Sequence, residues 1–193
     1  EEIHILTLDL TRPETLEAST QDAIKAFGHI DVLINNGGIS QRSFVQETSL
    51  DVYRRLMEVN YFGAVALTKY LLPHFISRKG GHFVTMSSLT GKFGTPYRSG
   101  YAASKHALHG FFDAVRAEYW KDNIYVTMLC PGVINTPITY SALTGDGTPL
   151  NKMDNLQANG KPAEWCAAKI ADAMEKKKEE VYLGGKEVLL IYI

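Results

Sequence analysis

The sequence contains, at residues 31–38, the stretch Asp31-Val32-Leu33-Ile34-Asn35-Asn36-Gly37-Gly38. A short and nearly continuous apolar run is typical of a β-strand that is covered on both faces, as in a parallel sheet. The Asn-Asn-Gly-Gly end marks a turn, and open α/β sheets bind their ligands at the carboxyl ends of such strands. The stretch therefore predicts a sheet strand with a binding site at its end.

Apolar runs of strand length recur along the chain, and stretches with helical periodicity separate them. The predicted strands are residues 3–8, 31–34, 82–86, 124–129 and 181–183. The predicted helices run from Pro13 to about Gly28 and over residues 50–77, 101–121 and 162–177. This alternation predicts an α/β fold, a Rossmann-like doubly wound parallel sheet, in a single domain of residues 1–193.

Three segments carry local predictions. The residues from Thr11 to Glu14 resemble a capping box, with Pro13 in the first helical turn. We expect Pro73 to kink the helix over residues 50–77. Residues 136–160 include five that are Gly or Pro and show no firm period, which favours a lid over a binding site.

Composition excludes several classes of protein. Apolar residues make up 45% of the 193 residues, and 20 Lys and Arg nearly cancel 21 Asp and Glu. This argues against a disordered chain and against general electrostatic binding of nucleic acid. The two cysteines, Cys130 and Cys166, imply no disulfide framework. No run reaches the roughly 18 consecutive apolar residues of a membrane-spanning helix.

Tyr101 and Lys105 lie four residues apart on a predicted helix, so their side chains share one face. An ammonium beside a phenol stabilises the phenolate and brings its pKa toward the range of a general acid or base. Such a pair is more often a buried ring beside a surface charge. Ser88 favours the functional interpretation of the pair. It ends a predicted strand near the start of the same helix, and its hydroxyl can bind a carbonyl oxygen.

Two other polar features have alternative interpretations. Asn60, in an apolar stretch of helix, forms either a structural hydrogen bond to backbone or holds a water that links Lys105 to solvent. His106 and His109 have a spacing that can hold a metal ion, but no suitable third ligand is evident nearby. We therefore predict no metal site.

These motifs together resemble the short-chain dehydrogenase/reductase family, and the stretch from Tyr101 onward is most similar to its member 7 subgroup. The motifs lie in that family's order and approximate spacing: Asn35-Asn36-Gly37-Gly38, Asn60, Ser87-Ser88, Tyr101-Ala102-Ala103-Ser104-Lys105 and Pro131-Gly132-Val133-Ile134-Asn135-Thr136. The similarity covers nearly the whole chain.

The resemblance implies an oxidoreductase that transfers a hydride between a nicotinamide cofactor and a carbonyl or alcohol substrate. Tyr101 would be the general acid or base, and Ser88 would polarise the substrate oxygen. Lys105 would lower the pKa of Tyr101 and bind the nicotinamide ribose, and Asn60 would hold the water that passes the proton onward. The substrate would be small and apolar, such as a steroid, a retinoid or another ketone.

The resemblance also implies the cofactor contacts, with NADP or NAD as cofactor and NADP favoured by the subgroup. Besides Tyr101 and Lys105, the implied contacts are Asp9, Leu10, Asn36, Gly37, Gly38, Pro131, Gly132, Ile134 and Thr136. The family usually has Ala where this chain has Gly37, a departure that adds no bulk.

One family element is absent from the sequence, the Thr-Gly-x-x-x-Gly-x-Gly loop that binds the cofactor pyrophosphate. The resemblance makes residues 3–8 the third strand, so we expect the first two β-α units, roughly 60 residues, to precede Glu1. Three interpretations follow: part of a complete oxidoreductase, a shorter non-catalytic binding module, or a lyase or epimerase on the same Tyr-Lys scaffold.

The resemblance further implies a homodimer or homotetramer formed through the two long helices, residues 50–77 and 101–121. It implies either association with the endoplasmic reticulum membrane in the full-length protein or a cytoplasmic location. The apolar tail from Val188 to Ile193 suggests that the native chain continues.

Overall fold

The centre of the protein is a parallel β-sheet, seen in a computed structural model that describes residues 2–192. The strands are β1 (Val32–Asn35), β2 (Gly81–Met86), β3 (Ile124–Pro131), β4 (Ile134–Asn135), β5 (Lys161–Pro162) and β6 (Glu180–Leu183). Four of them pair in the order β1-β2-β3-β6, all parallel, and β4 pairs with β5 beside them. The α/β class and the parallel sheet are confirmed.

Helices connect the strands. They are α1 (Pro13–Phe27), α2 (Leu50–Met57), α3 (Gly63–Arg78), α4 (Ser99–Tyr119), α5 (Asn155–Ala158) and α6 (Ala163–Glu175). Short 3₁₀ turns occupy Val45–Glu47, Leu89–Gly91, Trp120–Asp122, Pro137–Thr139 and Lys186–Tyr192. The predicted helices at 101–121 and 162–177 agree with α4 and α6 to within two residues at each end.

Alternate residues of the central strands serve two separate cores. Phe83 and Met128 pack with α3 and α4 on one face of the sheet, while Val84 and Leu129 pack with α6 on the other. All four side chains are fully buried. Helices on both faces make the sheet doubly wound, and they leave its carboxyl edge open for a site.

The strand β1 lies at the end of the sheet order and differs from its prediction. Val32 and Ile34 remain 38% and 47% exposed, so this strand is not covered on both faces. Leu33 and Asn35, which point to the opposite face, are half-buried and buried. The apolar run was read correctly as a strand, but its position at an edge leaves one face open.

The predicted strand at residues 3–8 is wrong for this structure. The segment is not part of any sheet among residues 2–192, and Ile3 and Ile5 are 81% and 90% exposed. A β-strand needs a hydrogen-bonded neighbour, and no described strand lies beside this segment.

The predicted capping box at Thr11 is also wrong. Arg12 occupies the cap position of α1 without a side-chain cap bond within the described residues. The Thr11 hydroxyl instead donates to the Asp9 carboxylate at 2.7 Å, and so does the Thr11 N–H at 2.9 Å. Pro13 begins the helix and Gly28 ends it with a left-handed φ of 75°, as the sequence predicted.

The single long helix predicted over residues 50–77 is interrupted. A π-helical turn, Glu58–Phe62, separates α2 from α3. Such turns insert one extra residue into an α-helix and often lie at functional sites. Asn60 is in its middle.

Candidate active site

The carboxyl ends of β1, β2 and β3 open into a cavity of about 940 Å³. Ser88, Tyr101 and Lys105 all line it, as do several residues implied as cofactor contacts. Those are Asn36, Gly38, Pro131, Gly132, Ile134 and Thr136. The structure thus brings together most of the site residues taken from the sequence.

Tyr101 lies in the first turn of α4, and Gln41 fixes that turn. The Gln41 side chain is fully buried, and its Oε1 accepts hydrogen bonds from the backbone N–H groups of Gly100 at 2.8 Å and Tyr101 at 3.3 Å. Its amide N–H groups donate to nearby hydroxyls, including that of Thr48 at 3.0 Å. Gln41 therefore satisfies the free N–H groups of the helix start and sets where the phenol lies. Sequence reasoning missed it, since the contact joins residues far apart in the chain.

Lys105 is one turn further along α4 and only 4% exposed. Its Nζ donates to the Met86 carbonyl oxygen at 2.7 Å and lies 5.7 Å from the centroid of the Tyr101 ring. Burial lowers the pKa of Lys105 to about 8. The ammonium is therefore poised to lose its proton only slightly above neutral pH.

The environment of Tyr101 acts on its pKa in both directions. Burial raises the pKa of the phenol, whereas the Ser88 hydroxyl and the positive charges of Arg42 and Arg98 partly offset that rise. Ser88 follows β2 and caps the 3₁₀ turn Leu89–Gly91, accepting from the Thr90 N–H at 3.2 Å. A phenol held protonated beside a hydroxyl can donate a proton to a carbonyl oxygen.

Asn60 joins the π-helical turn to the loop after β1. Its Oδ1 accepts from the Ile39 N–H at 2.8 Å, and its Nδ2 donates to the Ile39 carbonyl and to the Ser104 hydroxyl, both at 2.9 Å. The Asn60 side chain thus forms a structural hydrogen bond to backbone, which is one of the two interpretations of this residue from the sequence. Both side-chain N–H groups of Asn60 already donate to acceptors within the protein. A water held by Asn60 would therefore donate to one of the oxygen atoms of this residue.

Two adjacent glycines follow β1 with different neighbours. A Cβ at Gly38 would lie 3.1 Å from Asn60 Oδ1 and 3.5 Å from Lys105 Nζ, so the backbone approaches the site closely there. A Cβ at Gly37 would lie 2.7 Å from Leu10 Cδ1. Leu10 packs on Gly37, and neither it nor Asp9, whose carboxylate is bound by Thr11, lines the cavity.

The turn after β3 carries a contact that sequence reasoning missed. Glu187 Oε1 accepts hydrogen bonds from the N–H groups of Val133 at 3.0 Å and Gly185 at 2.9 Å. A Cβ at Gly132 would lie 2.6 Å from the same oxygen. A side chain at position 132 would therefore displace the Glu187 carboxylate, which comes from the last described turn of the chain and holds the turn after β3.

Charged residues line one side of the cavity. Arg42 pairs with Asp154 at 3.0 Å, and Arg98 lies 3.9 Å from the same carboxylate. Burial opposes the charge of Asp154, but hydrogen bonds from the Gln157 N–H and from Arg42 outweigh it and hold the pKa below its usual value. The pair ties the segment 136–160 to the loop after β1. Its partners are distant in sequence, so no local pattern predicts it.

The two histidines considered as metal ligands point to different partners. His106 Nδ1 lies 2.8 Å from the Ala102 carbonyl oxygen, and His109 Nε2 lies 2.9 Å from the Ser87 hydroxyl. Across residues 2–192 no group of three His, Cys, Asp or Glu side chains gathers as a metal site would require. Nor does any helix in that range have the length and apolar character needed to cross a bilayer.

Comparisons with known proteins identify the family of this chain. The family model described as short chain dehydrogenase matches residues 1–146. The chain is 47% identical over 179 residues to mouse dehydrogenase/reductase SDR family member 7B, covering 93% of this chain and 55% of the relative. It is 41% identical over 191 residues to human dehydrogenase/reductase SDR family member 7, covering 98% of this chain and 56% of the relative. The chain thus spans about half the length of these relatives.

Solved structures show the same fold. A short-chain dehydrogenase from Streptomyces avermitilis superposes with a TM-score of 0.83 at 28% identity, over 96% of this chain and 72% of that one. ElxO with NADP bound superposes with a TM-score of 0.66 at 32% identity, over 68% of this chain and 54% of that one. The chain belongs to the short-chain dehydrogenase family and is similar, within it, to the member 7 group.

Proposed function

We propose that the protein containing this chain is a nicotinamide-dependent oxidoreductase that interconverts a small apolar carbonyl compound and its alcohol. The observation that carries the proposal is the convergence of Ser88, Tyr101 and Lys105 on one cavity at the carboxyl edge of the sheet. A buried phenol can supply the proton that carbonyl reduction uses, and a hydroxyl and an ammonium can stabilise the negative charge that develops.

In the reduction, Tyr101 would donate its phenolic proton to the carbonyl oxygen as that oxygen gains negative charge. Ser88 would hold the same oxygen by a hydrogen bond and fix the orientation of the substrate. Lys105 would stabilise the resulting phenolate, and Asn60 would keep the water through which Tyr101 regains its proton. A bound nicotinamide cofactor would supply the hydride to the carbonyl carbon, or accept it in the reverse direction.

The residues present fit the nicotinamide end of such a cofactor. Gly38 and Gly132 allow the backbone to approach closely, and Asn36, Lys105 and Thr136 supply polar groups along the cavity wall. ElxO binds NADP on a similar fold, which supports NADP or NAD as the cofactor. Asp9 and Leu10 would act from outside the cavity lining, at the adenine end.

The cavity walls support an apolar substrate. Phe93, Ile138 and Leu156 line it, and the latter two belong to the segment 136–160, which we propose as a lid. Two or four copies would pair through the two long helical segments, α2 with α3 and α4, as the resemblance to the family implies.

The test is turnover by the complete protein, with phenanthrenequinone as the carbonyl probe and NADPH or NADH as reductant. We expect consumption of the reduced nicotinamide that depends on both protein and probe. Cofactor binding without any redox change would favour the lyase or epimerase alternative. Absence of both binding and turnover would favour a non-catalytic module.

A further inference from the structure

A histidine that the proposed reaction does not use lies directly behind the site. His109 is one turn after Lys105 on α4 and is 8% exposed. Its Nε2 lies 2.9 Å from the hydroxyl of Ser87, which is itself 2% exposed. The imidazole and the hydroxyl are both buried and hydrogen-bonded to each other, and Ser87 directly precedes Ser88. His109 can therefore influence where the site residues lie.

Ser87 connects the end of β2 to α4. Its hydroxyl donates to the Lys105 carbonyl oxygen at 3.3 Å, and its N–H donates to the Leu129 carbonyl oxygen at 2.7 Å. Its two neighbours in the chain are Met86, whose carbonyl oxygen binds the Lys105 ammonium, and Ser88. The position of Ser87 thus sets both the hydroxyl that would bind substrate and the acceptor that holds Lys105.

The 3₁₀ turn that follows Ser88 closes over this pair. A Cβ at Gly91 would lie 2.5 Å from Ser87 Oγ and 3.2 Å from His109 Nε2. The turn begins at its cap residue Ser88, so a shift of His109 or Ser87 is transmitted to the Ser88 backbone through tight packing.

The Ser87 hydroxyl has one proton and two neighbours that can share hydrogen bonds with it, the Lys105 carbonyl oxygen at 3.3 Å and His109 Nε2 at 2.9 Å. The tautomer of the imidazole decides whether Nε2 donates to Ser87 or accepts from it, and either arrangement ties the two side chains together. His109 Nδ1 is buried without a hydrogen-bond partner among residues 2–192, and it lies 3.6 Å from Glu180 Oε2.

The charges that face the imidazole come from each element around it. Lys92 and Glu180 form an ion pair at 2.8 Å beside it, and Asp113 and His106 lie on its own helix. Burial lowers the pKa of His109, with Lys92 and His106 adding to the effect and Glu180 and Asp113 opposing it. The ring is therefore neutral at neutral pH. The Cys130 thiol, 3.8 Å from Nε2, is neutral as well, since burial raises its pKa to about 12.

We propose that His109 is a positioning residue for the reaction, and that through Ser87 it fixes Ser88 and Lys105 relative to Tyr101. This rests on the proposed function. It acts by a hydrogen bond and not by its charge, so an amide that reaches the same point can replace it.

The test compares His109→Leu, His109→Gln and Ser87→Ala in the complete protein, with phenanthrenequinone and saturating NADPH. The Gln amide nitrogen can reach the position of the imidazole Nε2, whereas Leu fills space only. We expect His109→Leu and Ser87→Ala to lower kcat by about tenfold each, because a small misplacement of the reacting groups is costly. The double variant His109→Leu/Ser87→Ala should lose no more kcat than either single variant, because the two residues act through one contact. The kcat of His109→Gln should stay within about threefold of the wild type.

The pH profile separates this role from packing alone. Loosening around Lys105 admits water and raises its pKa, so the alkaline limb of kcat should move to higher pH in His109→Leu and stay in place in His109→Gln. The proposal would be overturned if His109→Leu kept the wild-type kcat and the wild-type alkaline limb. It would also be overturned if His109→Leu and His109→Gln lost kcat equally. If His109→Leu fails to fold, Ser87→Ala and His109→Gln decide the matter. A wild-type protein without turnover would instead refute the proposed function, and the role of His109 with it.

Discussion

Lys105 Nζ lies 5.7 Å from the centroid of the Tyr101 ring and is held there by the Met86 carbonyl oxygen, which accepts a hydrogen bond from it at 2.7 Å. The ammonium is thus placed by the sheet as well as by its own helix. The strand β2 and the helix α4 must therefore keep their relative positions if the Lys105 ammonium is to stay near the phenol of Tyr101.

Replacement of Tyr101 by Phe removes the proposed proton donor and keeps the ring. We expect kcat for phenanthrenequinone reduction to fall by about 10²- to 10⁴-fold, the range that general acid catalysis contributes. NADPH binding, followed by nicotinamide fluorescence, should be unchanged within about twofold. Tyr125→Phe, on β3 and 37% exposed, is the matched control and should keep full activity. Turnover retained in Tyr101→Phe would remove Tyr101 from its role.

The lowered pKa of Lys105, about 8, predicts an alkaline loss of activity. Below that pH the ammonium is charged and stabilises the phenolate, and above it the neutral amine does not. The kcat for reduction should therefore fall as the pH rises through about 8. Lys105→Arg stays charged throughout this range, so its lower kcat should show no such limb. The same limb in both proteins would assign it to another group.

Two glycines offer a matched test of local packing. A Cβ at Gly37 meets only the end of the Leu10 side chain, so Gly37→Ala should raise the free energy of unfolding by about 0.5 kcal/mol through the less flexible unfolded chain. A Cβ at Gly81 would lie 2.2 Å from the ring of Phe75, which is fully buried. Gly81→Ala should therefore lower the same free energy by about 1–3 kcal/mol. Urea denaturation of both variants measures the difference, and an equal effect would contradict these contacts.

The Asp154 carboxylate pairs with Arg42 and caps α5, accepting from the Gln157 N–H. Asp154→Asn weakens both contacts, so amide hydrogen exchange in residues 136–160 should become faster while β2 and β3 keep their protection. The pKa of Asp154 is lowered in the folded state, so the stabilisation is present at neutral pH and is lost as the pH falls through that lowered value. Asp51→Asn, at an exposed ion pair with Arg54, is the control and should leave exchange in 136–160 unchanged.

How far the sequence predicts this molecule depends on the range of the interactions involved. The strands β2 and β3 and the helix α4 follow from local apolar periodicity, and Tyr101 and Lys105 are neighbours because a helix makes them so. The exposure of Ile34 could not be predicted, since a strand's place in the sheet order is not written in its own residues. The Arg42 and Asp154 contact joins positions 112 residues apart, and only the folded chain brings them together.

The candidate site shows the same division. Asn60 was recognised as a polar residue in an apolar helix, but the π-helical turn around it and its three bonds to Ile39 and Ser104 depend on tertiary packing. Gln41 and Glu187 carry no motif at all. Each satisfies backbone N–H groups of a distant segment, a need that becomes visible only when that segment is in place.

The strand β1 pairs with β2 along one side only, and within residues 2–192 its other side faces no strand. This unpaired side of the strand, next to the exposed side chains of Val32 and Ile34, is a template on which a further β-strand can grow. Residues 1–193 alone therefore carry an aggregation risk at high concentration, and any strand that covers this edge acts as a solubilising element as well as a part of the fold.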